Sequence, residues 1–134
     1  MLYASIAIIF NEEKKVLVLK RSAELSSFPN KWSFPGGTAE AGETSIQCLI
    51  REVHEETSLT LKEKLVTYFY SIKREDGKEI DFYISNKPPG EIELDWESSE
   101  YKWIEVEDLS NLDFLPSKDD IFKLVQSWKD INLA

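Results

Sequence analysis

Three glutamates in the middle of the chain have a spacing at which carboxylates can act together. Glu52, Glu55 and Glu56 stand at positions i, i+3 and i+4, so they share one face if the segment is helical. Apolar residues of the same segment recur at helical spacing and form a narrow stripe beside that face, made of Ile46, Leu49, Ile50 and Val53. The pattern predicts a helix that packs through one side and carries clustered negative charge on the adjacent side.

Clustered carboxylates repel one another unless a cation lies among them. Mg²⁺ suits a site with few carboxylates because it keeps several waters and takes phosphate oxygens as further ligands. The chain has 16 Lys and Arg against 25 Asp and Glu, for a formal net charge of −9. A bound Mg²⁺, or Mn²⁺ in its place, would bridge such an acidic protein and a polyanionic substrate.

Composition excludes several other kinds of site. The single cysteine, Cys48, cannot form an internal disulfide or a CxxC metal knuckle, and the single histidine, His54, excludes multi-histidine zinc sites. The acidic balance argues against binding of long nucleic acid. No apolar run approaches the ~18 residues of a membrane span, and residues 1–10 lack a basic leader region. We therefore expect a cytoplasmic monomer or homodimer with no membrane partner.

Glycine turns precede the predicted helix. Gly36-Gly37 lets the backbone approach a ligand closely or offer a carbonyl to a metal. Arg51 is flanked by acids and can pair with Glu43 or Glu52 to fix their orientation. A charged run of this kind, taken alone, is typical of a solvated helix face. Its interpretation therefore depends on the spacing that it shares with the turns.

That joint spacing is G-x5-E-x7-R-E-V-x-E-E-x-S-L, running from Gly37 to Leu59. It resembles the Nudix box, G-x5-E-x7-R-E-U-x-E-E-x-G-U with U aliphatic, at every specified position except Ser58. Residues 31–37 and 97–109 also resemble the family's approach to the box and its late strand, so the likeness covers almost the whole chain. Ser58 follows the helix, where glycine takes a left-handed conformation cheaply. We expect Ser58 to cost a little stability and to leave the chemistry intact.

The resemblance implies an activity and a set of site residues. The family hydrolyses a nucleoside diphosphate linked to a further group, by attack of water on a phosphorus of the bridge. The implied metal ligands are Glu52, Glu55, Glu56 and the Gly36 carbonyl, and the implied organisers of the loop and helix are Glu43 and Arg51.

The identity of the general base stays open. In some members of the family it comes from the box, for which Glu55 is the candidate here, and in others from a later loop. Glu97 resembles the later acid of MutT-type members, with Glu100 and Asp95 as alternatives. Glu97 could equally be a solvated loop acid.

Substrate contacts are predicted at three positions outside the box. Arg21 could reach a phosphate or be a surface charge at a strand end. Phe34 could stack on a base or lie in the core. Asp119 or Asp120 could read a base edge or complement a helix dipole. Lys118 stands where MutT-type enzymes acting on 8-oxo-dGTP place an asparagine, which counts against that specificity.

The surrounding pattern predicts a single domain over residues 1–134 with a mixed sheet and a helix on each face. Expected strands cover residues 2–10, 16–19, 31–34, 65–72, 80–84 and 101–106. Pro35-Gly36-Gly37 should break the third strand, Thr44 should cap the first helix, and Ser117 should cap the second. This agrees with the α/β/α sandwich of the Nudix fold, an α+β architecture.

The short chain resembles the MutT-like enzymes, so the expected function is a (d)NTP pyrophosphatase that releases a nucleoside monophosphate and pyrophosphate. The expected partner is a small nucleotide. An alternative is a Nudix hydrolase of another diphosphate, such as ADP-ribose, a nucleotide sugar or a capped RNA end. A non-catalytic Nudix-like binding module is a third possibility, but such a module has no need of three clustered carboxylates.

Overall fold

The computed structural model describes residues 3–115 and 119–133, with residues 119 and 120 described by their backbone alone. One seven-stranded sheet lies between two helices. The strands are β1 (Tyr3–Phe10), β2 (Val16–Arg21), β3 (Trp32–Ser33), β4 (Gly36–Thr38), β5 (Thr67–Lys73), β6 (Glu79–Asn86) and β7 (Ser98–Ile104). The helices are α1 (Ser45–Thr57) and α2 (Asp119–Asn132), and 3₁₀ turns cover Glu63–Leu65 and Val106–Asn111.

The sheet is built around β1. Its strand order is β3-β2-β1-β6-β5, with β4 also paired to β1 and β7 to β2. β1 and β6 run parallel, from Tyr3 opposite Glu79 to Phe10 opposite Asn86. The other strand pairs are antiparallel. The sheet is therefore mixed, as the sequence predicts.

Alternation along the central strands separates two cores, one on each face of the sheet. The core under α2 includes Ile8, Phe10, Val16, Val18, Ile121 and Val125. The core under α1 includes Ala7, Ile9, Leu17, Leu19, Leu49 and Val53. Each helix thus covers one face, which confirms the predicted α/β/α sandwich.

As the sequence predicts, the third strand ends before Pro35-Gly36-Gly37, because β3 stops at Ser33. The short strand that follows at once was not predicted. Gly36 and Gly37 belong to β4, which pairs with β1 by placing Gly37 opposite Ser5 and Gly36 opposite Ile6. Gly36 has a φ of 154°, and a Cβ on it would overlap the Ser5 carbonyl oxygen. Because glycine has no Cβ, the chain can come close enough to pair here.

Both ends of α1 are capped as the sequence predicts. At the start, Gln47 N donates to Thr44 Oγ1 at 3.2 Å and Thr44 N donates to Gln47 Oε1 at 2.9 Å, a capping box. At the end, Ser58 is left-handed with a φ of 67°, and its N–H donates to the His54 carbonyl at 2.9 Å. The Ser58 hydroxyl also donates to the Glu93 carbonyl at 3.2 Å.

The second helix agrees with its predicted pattern over the part described. Ile121 and Val125 are buried against the sheet at helical spacing. Its expected cap, Ser117, lies outside the described residues. No helix in the described part of the chain is long and apolar enough to cross a membrane.

Replacing Ser58 by Gly should stabilise the protein. A left-handed conformation costs a non-glycine residue about 1 kcal/mol, and loss of the exposed hydrogen bond to Glu93 should cancel about half of the gain. We expect the Tm to rise by about 1–2 °C for a chain of this size. The control is Ser58→Ala, which keeps the strain, loses the hydrogen bond and should lower the Tm. A Ser58→Gly variant that melts no higher than wild type would show that the left-handed turn is unstrained.

Candidate active site

α1 presents its glutamates to the strand β4. Its buried residues, Cys48, Leu49, Val53 and Thr57, form the side that packs on the sheet. Beside them, the Glu52 side chain is 19% exposed, whereas that of Glu55 is 53% exposed. Glu56 is partly buried. Two of the three glutamates therefore lie against protein and the third faces solvent.

Gly36 and Gly37 make room for the inward-facing glutamates. The Gly36 N–H donates to Glu56 Oε1 at 3.1 Å. A Cβ on Gly37 would overlap the Glu52 carboxylate. The Gly37 carbonyl is held from the other side by Cys48 Sγ at 3.3 Å. Any side chain at either glycine would displace the backbone or a carboxylate.

Arg51 binds the acidic side chains together. Its Nε and Nη2 contact the two oxygens of Glu43 at 2.6 and 2.9 Å, a bidentate pair. Its Nη1 contacts Glu52 at 2.9 Å and Glu55 at 3.3 Å. Its Nη2 also donates to the Thr38 carbonyl at 3.2 Å. The structure thus joins Arg51 to both of the partners considered from sequence, Glu43 and Glu52.

These contacts determine the charges of Arg51 and Glu43. The hydrogen bond from Arg51 lowers the pKa of Glu43 to about 2, so Glu43 is ionised at every physiological pH. The same hydrogen bond raises the pKa of Arg51, which stays protonated. A permanent cation and a permanent anion therefore anchor the loop before α1 to the helix.

Glu56 is in the opposite situation. Its pKa is raised to about 9, chiefly by burial and also by the negative charges of Glu52, Asp95 and Glu97, while the hydrogen bond from the Gly36 N–H acts in the opposite direction. Burial also raises the pKa of Glu52, although Arg51 opposes that rise. The inner part of the site is short of positive charge.

The donor set fits a divalent cation in chemistry and charge. Among the side chains described, those of residues 3–115 and 121–133, no three Asp, Glu, His or Cys are gathered into a ready metal site. Arg51 contacts Glu52 and Glu55, while Glu56 accepts from Gly36. Carboxylate oxygens are the ligands that Mg²⁺ and Mn²⁺ take. A cation among them would favour the ionised form of Glu56 and oppose its repulsion by the neighbouring acids.

Glu97 lies within electrostatic reach of this centre. It is exposed, immediately before β7, and its charge raises the pKa of both Glu52 and Glu56. Its N–H is held by Asp95 Oδ1 at 3.1 Å, and its carbonyl accepts from Ser22 N at 2.8 Å. The alternative Glu100 is instead on β7, in register with Lys20. The charge of Glu97 thus acts on Glu52 and Glu56, and that of Asp95 acts on Glu56.

The three predicted substrate contacts have different surroundings. The Arg21 guanidinium donates to the carbonyls of Ser27 and Phe28 at 2.9 to 3.2 Å, and so holds its own loop. Phe34 is 5% exposed and packs edge-on against Phe114 at 4.9 Å, which leaves its ring little surface for stacking on a base. The side chain of Asp119 lies outside the described residues.

Sequence reasoning missed a buried polar group beside the start of α1. Asp81, in β6, accepts hydrogen bonds from Ser45 and Ser71, both at 2.6 Å. The signal that could have found it is an acid inside an apolar strand, between Ile80 and Phe82.

The family model of the NUDIX domain matches residues 2–125. The chain belongs to the Nudix family. An ADP-ribose pyrophosphatase of Methanocaldococcus jannaschii is 30% identical over 125 residues, which cover 91% of this chain and 72% of that protein. The 8-oxo-dGTP diphosphatase of Escherichia coli is 39% identical over 59 residues, but the match covers only 44% of this chain and 45% of that protein.

A solved structure of MutT, from work on the Aliivibrio salmonicida and Vibrio cholerae proteins, matches nearly end to end. Its TM-score is 0.80 at 26% identity, over 95% of this chain and 98% of that one. The chain is therefore a MutT-like Nudix hydrolase, an enzyme of phosphorus-containing anhydrides. Nudix enzymes generally use a divalent metal ion and act on small nucleotide substrates.

Glu56→Gln should stabilise the metal-free Nudix domain at neutral and alkaline pH. Because the pKa in the fold is about 9 against an ordinary 4.5, the native protein keeps a proton that the unfolded chain loses between those values. Wild-type stability should therefore fall as pH rises through this range, by up to about 1.4 kcal/mol per pH unit. The glutamine variant should lack that contribution.

Urea unfolding in EDTA from pH 5 to pH 9 measures this difference. Glu55→Gln is the matched control, because its side chain is 53% exposed and its removal should leave the pH dependence unchanged. Parallel pH profiles for wild type and Glu56→Gln would show that Glu56 ionises freely in the native state.

Proposed function

We propose that this Nudix hydrolase is a Mg²⁺-dependent pyrophosphatase of nucleoside triphosphates, ribo or deoxy, which releases a nucleoside monophosphate and pyrophosphate. The observation that carries the proposal is Glu56, a buried carboxyl held by the Gly36 N–H among the charges of Glu52, Asp95 and Glu97. A site so short of positive charge suits a substrate that arrives with a divalent cation. Polyphosphates are such substrates.

The proposed ligands of the cation are Glu52, Glu55, Glu56 and the Gly36 carbonyl. When bound, the cation would stabilise negative charge on the nonbridging and leaving oxygens of the phosphate chain. Arg51 orients Glu52 and Glu55 through its Nη1, while its bidentate pair with Glu43 fixes the guanidinium itself. Arg51 and Glu43 thus act by positioning.

Glu97 is the proposed general base. It takes a proton from water as the water oxygen bonds to phosphorus, and the phosphorus–oxygen bond to the leaving pyrophosphate breaks with its electron pair on oxygen. An exposed carboxylate next to the glutamate face is in a suitable place to meet that water. Its loop is tied to the β2 end by Ser22, which limits how far Glu97 moves.

Likeness to two relatives supports nucleoside triphosphates as substrates, in preference to diphosphate compounds such as ADP-ribose. The E. coli relative is named for 8-oxo-dGTP, and MutT matches over nearly the whole fold. Lys118, which stands where 8-oxo-dGTP enzymes place an asparagine, argues against preference for the oxidised base. The second candidate is ADP-ribose hydrolysis, because the M. jannaschii relative named for it aligns with 91% of this chain.

A nucleotide panel with identification of products separates these candidates. With Mg²⁺ we expect equal amounts of monophosphate and pyrophosphate from at least one (d)NTP, no turnover in excess EDTA, and recovery when Mg²⁺ is restored. AMP and ribose 5-phosphate as the main products would favour the second candidate, and nucleotide sugars and capped RNA complete the panel. Turnover that survives exhaustive chelation would refute metal dependence, and binding without turnover would indicate a binding module.

Glu56→Gln tests the ligand role in the same assay. It keeps the shape of the side chain and removes one charge, so kcat should fall by about 10²-fold or more. Glu12→Gln, an exposed change in the β1–β2 turn, is the control and should retain wild-type kcat. A Glu56→Gln enzyme as fast as wild type would exclude Glu56 as a ligand.

Glu97→Gln and Glu100→Gln separate the candidate bases. If Glu97 takes the proton, its replacement should lower kcat far more than it raises KM, and the deficit should shrink at high pH because hydroxide needs no base. A loss recovered by excess Mg²⁺ would make Glu97 a metal ligand instead. Steady-state kinetics across pH and Mg²⁺ concentration give both readouts. A silent Glu97→Gln beside a slow Glu100→Gln would reverse the assignment.

A further inference from the structure

Asp81 is a carboxylate buried between α1 and the sheet, with 7% of its surface exposed. Within the described part of the chain it forms no ion pair with a lysine or arginine. Its Oδ2 accepts from Ser45 Oγ and its Oδ1 from Ser71 Oγ, both at 2.6 Å. Hydrogen bonds of this length are typical of an ionised acceptor. Among the described side chains, the hydroxyls of Ser45 and Ser71 are the ones that donate hydrogen bonds to this carboxylate.

The hydrogen bonds around Asp81 join four elements. Ser45 is the first residue of α1, Ser71 lies in β5 and Asp81 in β6. Ser5 of β1, which is fully buried, donates to the Ser45 carbonyl at 2.7 Å. Tyr83 of β6 donates to Ser45 Oγ at 2.8 Å. Ser45 therefore joins the helix directly to β1 and β6, and through Asp81 to β5.

The charge pattern of α1 explains why an anion stands at this point. A helix favours negative charge at its N-terminus and disfavours it at its C-terminus. The first turn of α1 contains no acidic residue, whereas Glu52, Glu55 and Glu56 all lie in its last two turns. Asp81, supplied by β6 and bonded to Ser45, provides the N-terminal anion that the helix itself lacks.

The same contacts reach the glycines that face the glutamates. Ser5 pairs with Gly37 across β1 and β4, and the Ser5 carbonyl is the atom that excludes a side chain at Gly36. Gly36 in turn donates to Glu56. Ser5 therefore contacts both the start of α1 and the strand against which its glutamates lie. A shift of α1 along its axis would move Glu56 relative to Gly36.

We propose that Asp81 is a positioning residue for the glutamate face: its charge, acting through Ser45, fixes α1 along its axis relative to β1 and β4. The proposal rests on the proposed function, since it concerns the geometry of the metal-binding glutamates. Asp81 acts through Ser45 and the strands, and touches neither substrate nor the reacting atoms.

Asp81→Asn tests the charge because it keeps the shape and one acceptor oxygen. We expect kcat at saturating Mg²⁺ and nucleotide to fall about tenfold or more, since catalysis is sensitive to displacements below 1 Å, with KM for the nucleotide within about twofold of wild type. Without substrate, Mn²⁺ affinity, measured from the EPR signal of the free ion, should weaken several-fold. Val125→Ala, fully buried in the core under α2, is the control of reduced stability that should change neither quantity well below its Tm.

Several results would overturn the proposal. An Asp81→Asn variant that matches wild type in kcat and Mn²⁺ affinity is one such result. A Val125→Ala variant that loses both in proportion to its Tm is another, because the effect would then be one of stability alone. If Asp81→Asn does not fold, Ser45→Ala and Ser71→Ala each remove one of its hydrogen bonds. Ser45→Ala must then weaken Mn²⁺ binding more than Ser71→Ala, because only Ser45 belongs to α1, and equal effects would refute the proposal. A wild-type protein that binds Mn²⁺ but hydrolyses no nucleotide would refute the proposed function and still leave the Mn²⁺ comparison decisive for Asp81.

Discussion

Repulsion among acidic side chains governs the arrangement of α1, and one guanidinium opposes it. Arg51 lies within 4 Å of carboxylate oxygens of Glu40, Glu43, Glu52 and Glu55. One positive charge cannot neutralise so many negative ones, and the pair with Glu43 already uses two of its donor nitrogens. Burial, together with the negative charges of Glu52, Asp95 and Glu97, raises the pKa of Glu56 to about 9, so that without a cation Glu56 keeps its proton at neutral pH. The contacts of Arg51 therefore hold the acidic side chains in place but leave the site short of positive charge. A site in this condition favours the binding of a cation.

The same site also depends on steric room. Gly37 lets β4 lie so close to α1 that the Glu52 carboxylate takes the place of a side chain, and Gly36 lets β4 lie close to β1. That closeness removes water from Glu52 and Glu56, and loss of water is the largest cause of both raised pKa values. Close packing and the raised pKa values are thus consequences of the same two residues. The proposed binding of a cation also explains why Glu56 is buried although its burial destabilises the metal-free fold.

Local patterns predicted α1 well and the sheet less well. The capping box at Thr44 and the left-handed Ser58 depend on neighbours within a few residues, so their signals are present in the sequence. The pairing of Gly36 with Ile6 depends on a strand 30 positions away, and glycine alone reads as a break. The hydrogen bond between Ser45 and Asp81 joins residues 36 positions apart in the sequence, and no periodic pattern predicts it. The burial of Phe34 likewise depends on packing against the distant Phe114, so the sequence alone left its position open.

Arg21 acts on the proposed site indirectly, through the loop that its guanidinium holds. The sequence offered it as a phosphate contact, but its guanidinium binds the carbonyls of Ser27 and Phe28 and so closes the loop that follows β2. The next residue, Ser22, donates its N–H to the Glu97 carbonyl. By holding the loop after β2, Arg21 also helps to fix Ser22, whose N–H binds the loop that carries the proposed base, Glu97. The proposed metal ligands thus lie on α1, whereas the proposed base lies on a loop whose backbone is bonded to the end of α1 through Glu93 and Thr57 and to the end of β2 through Ser22. The loop therefore holds Glu97 relative to both elements.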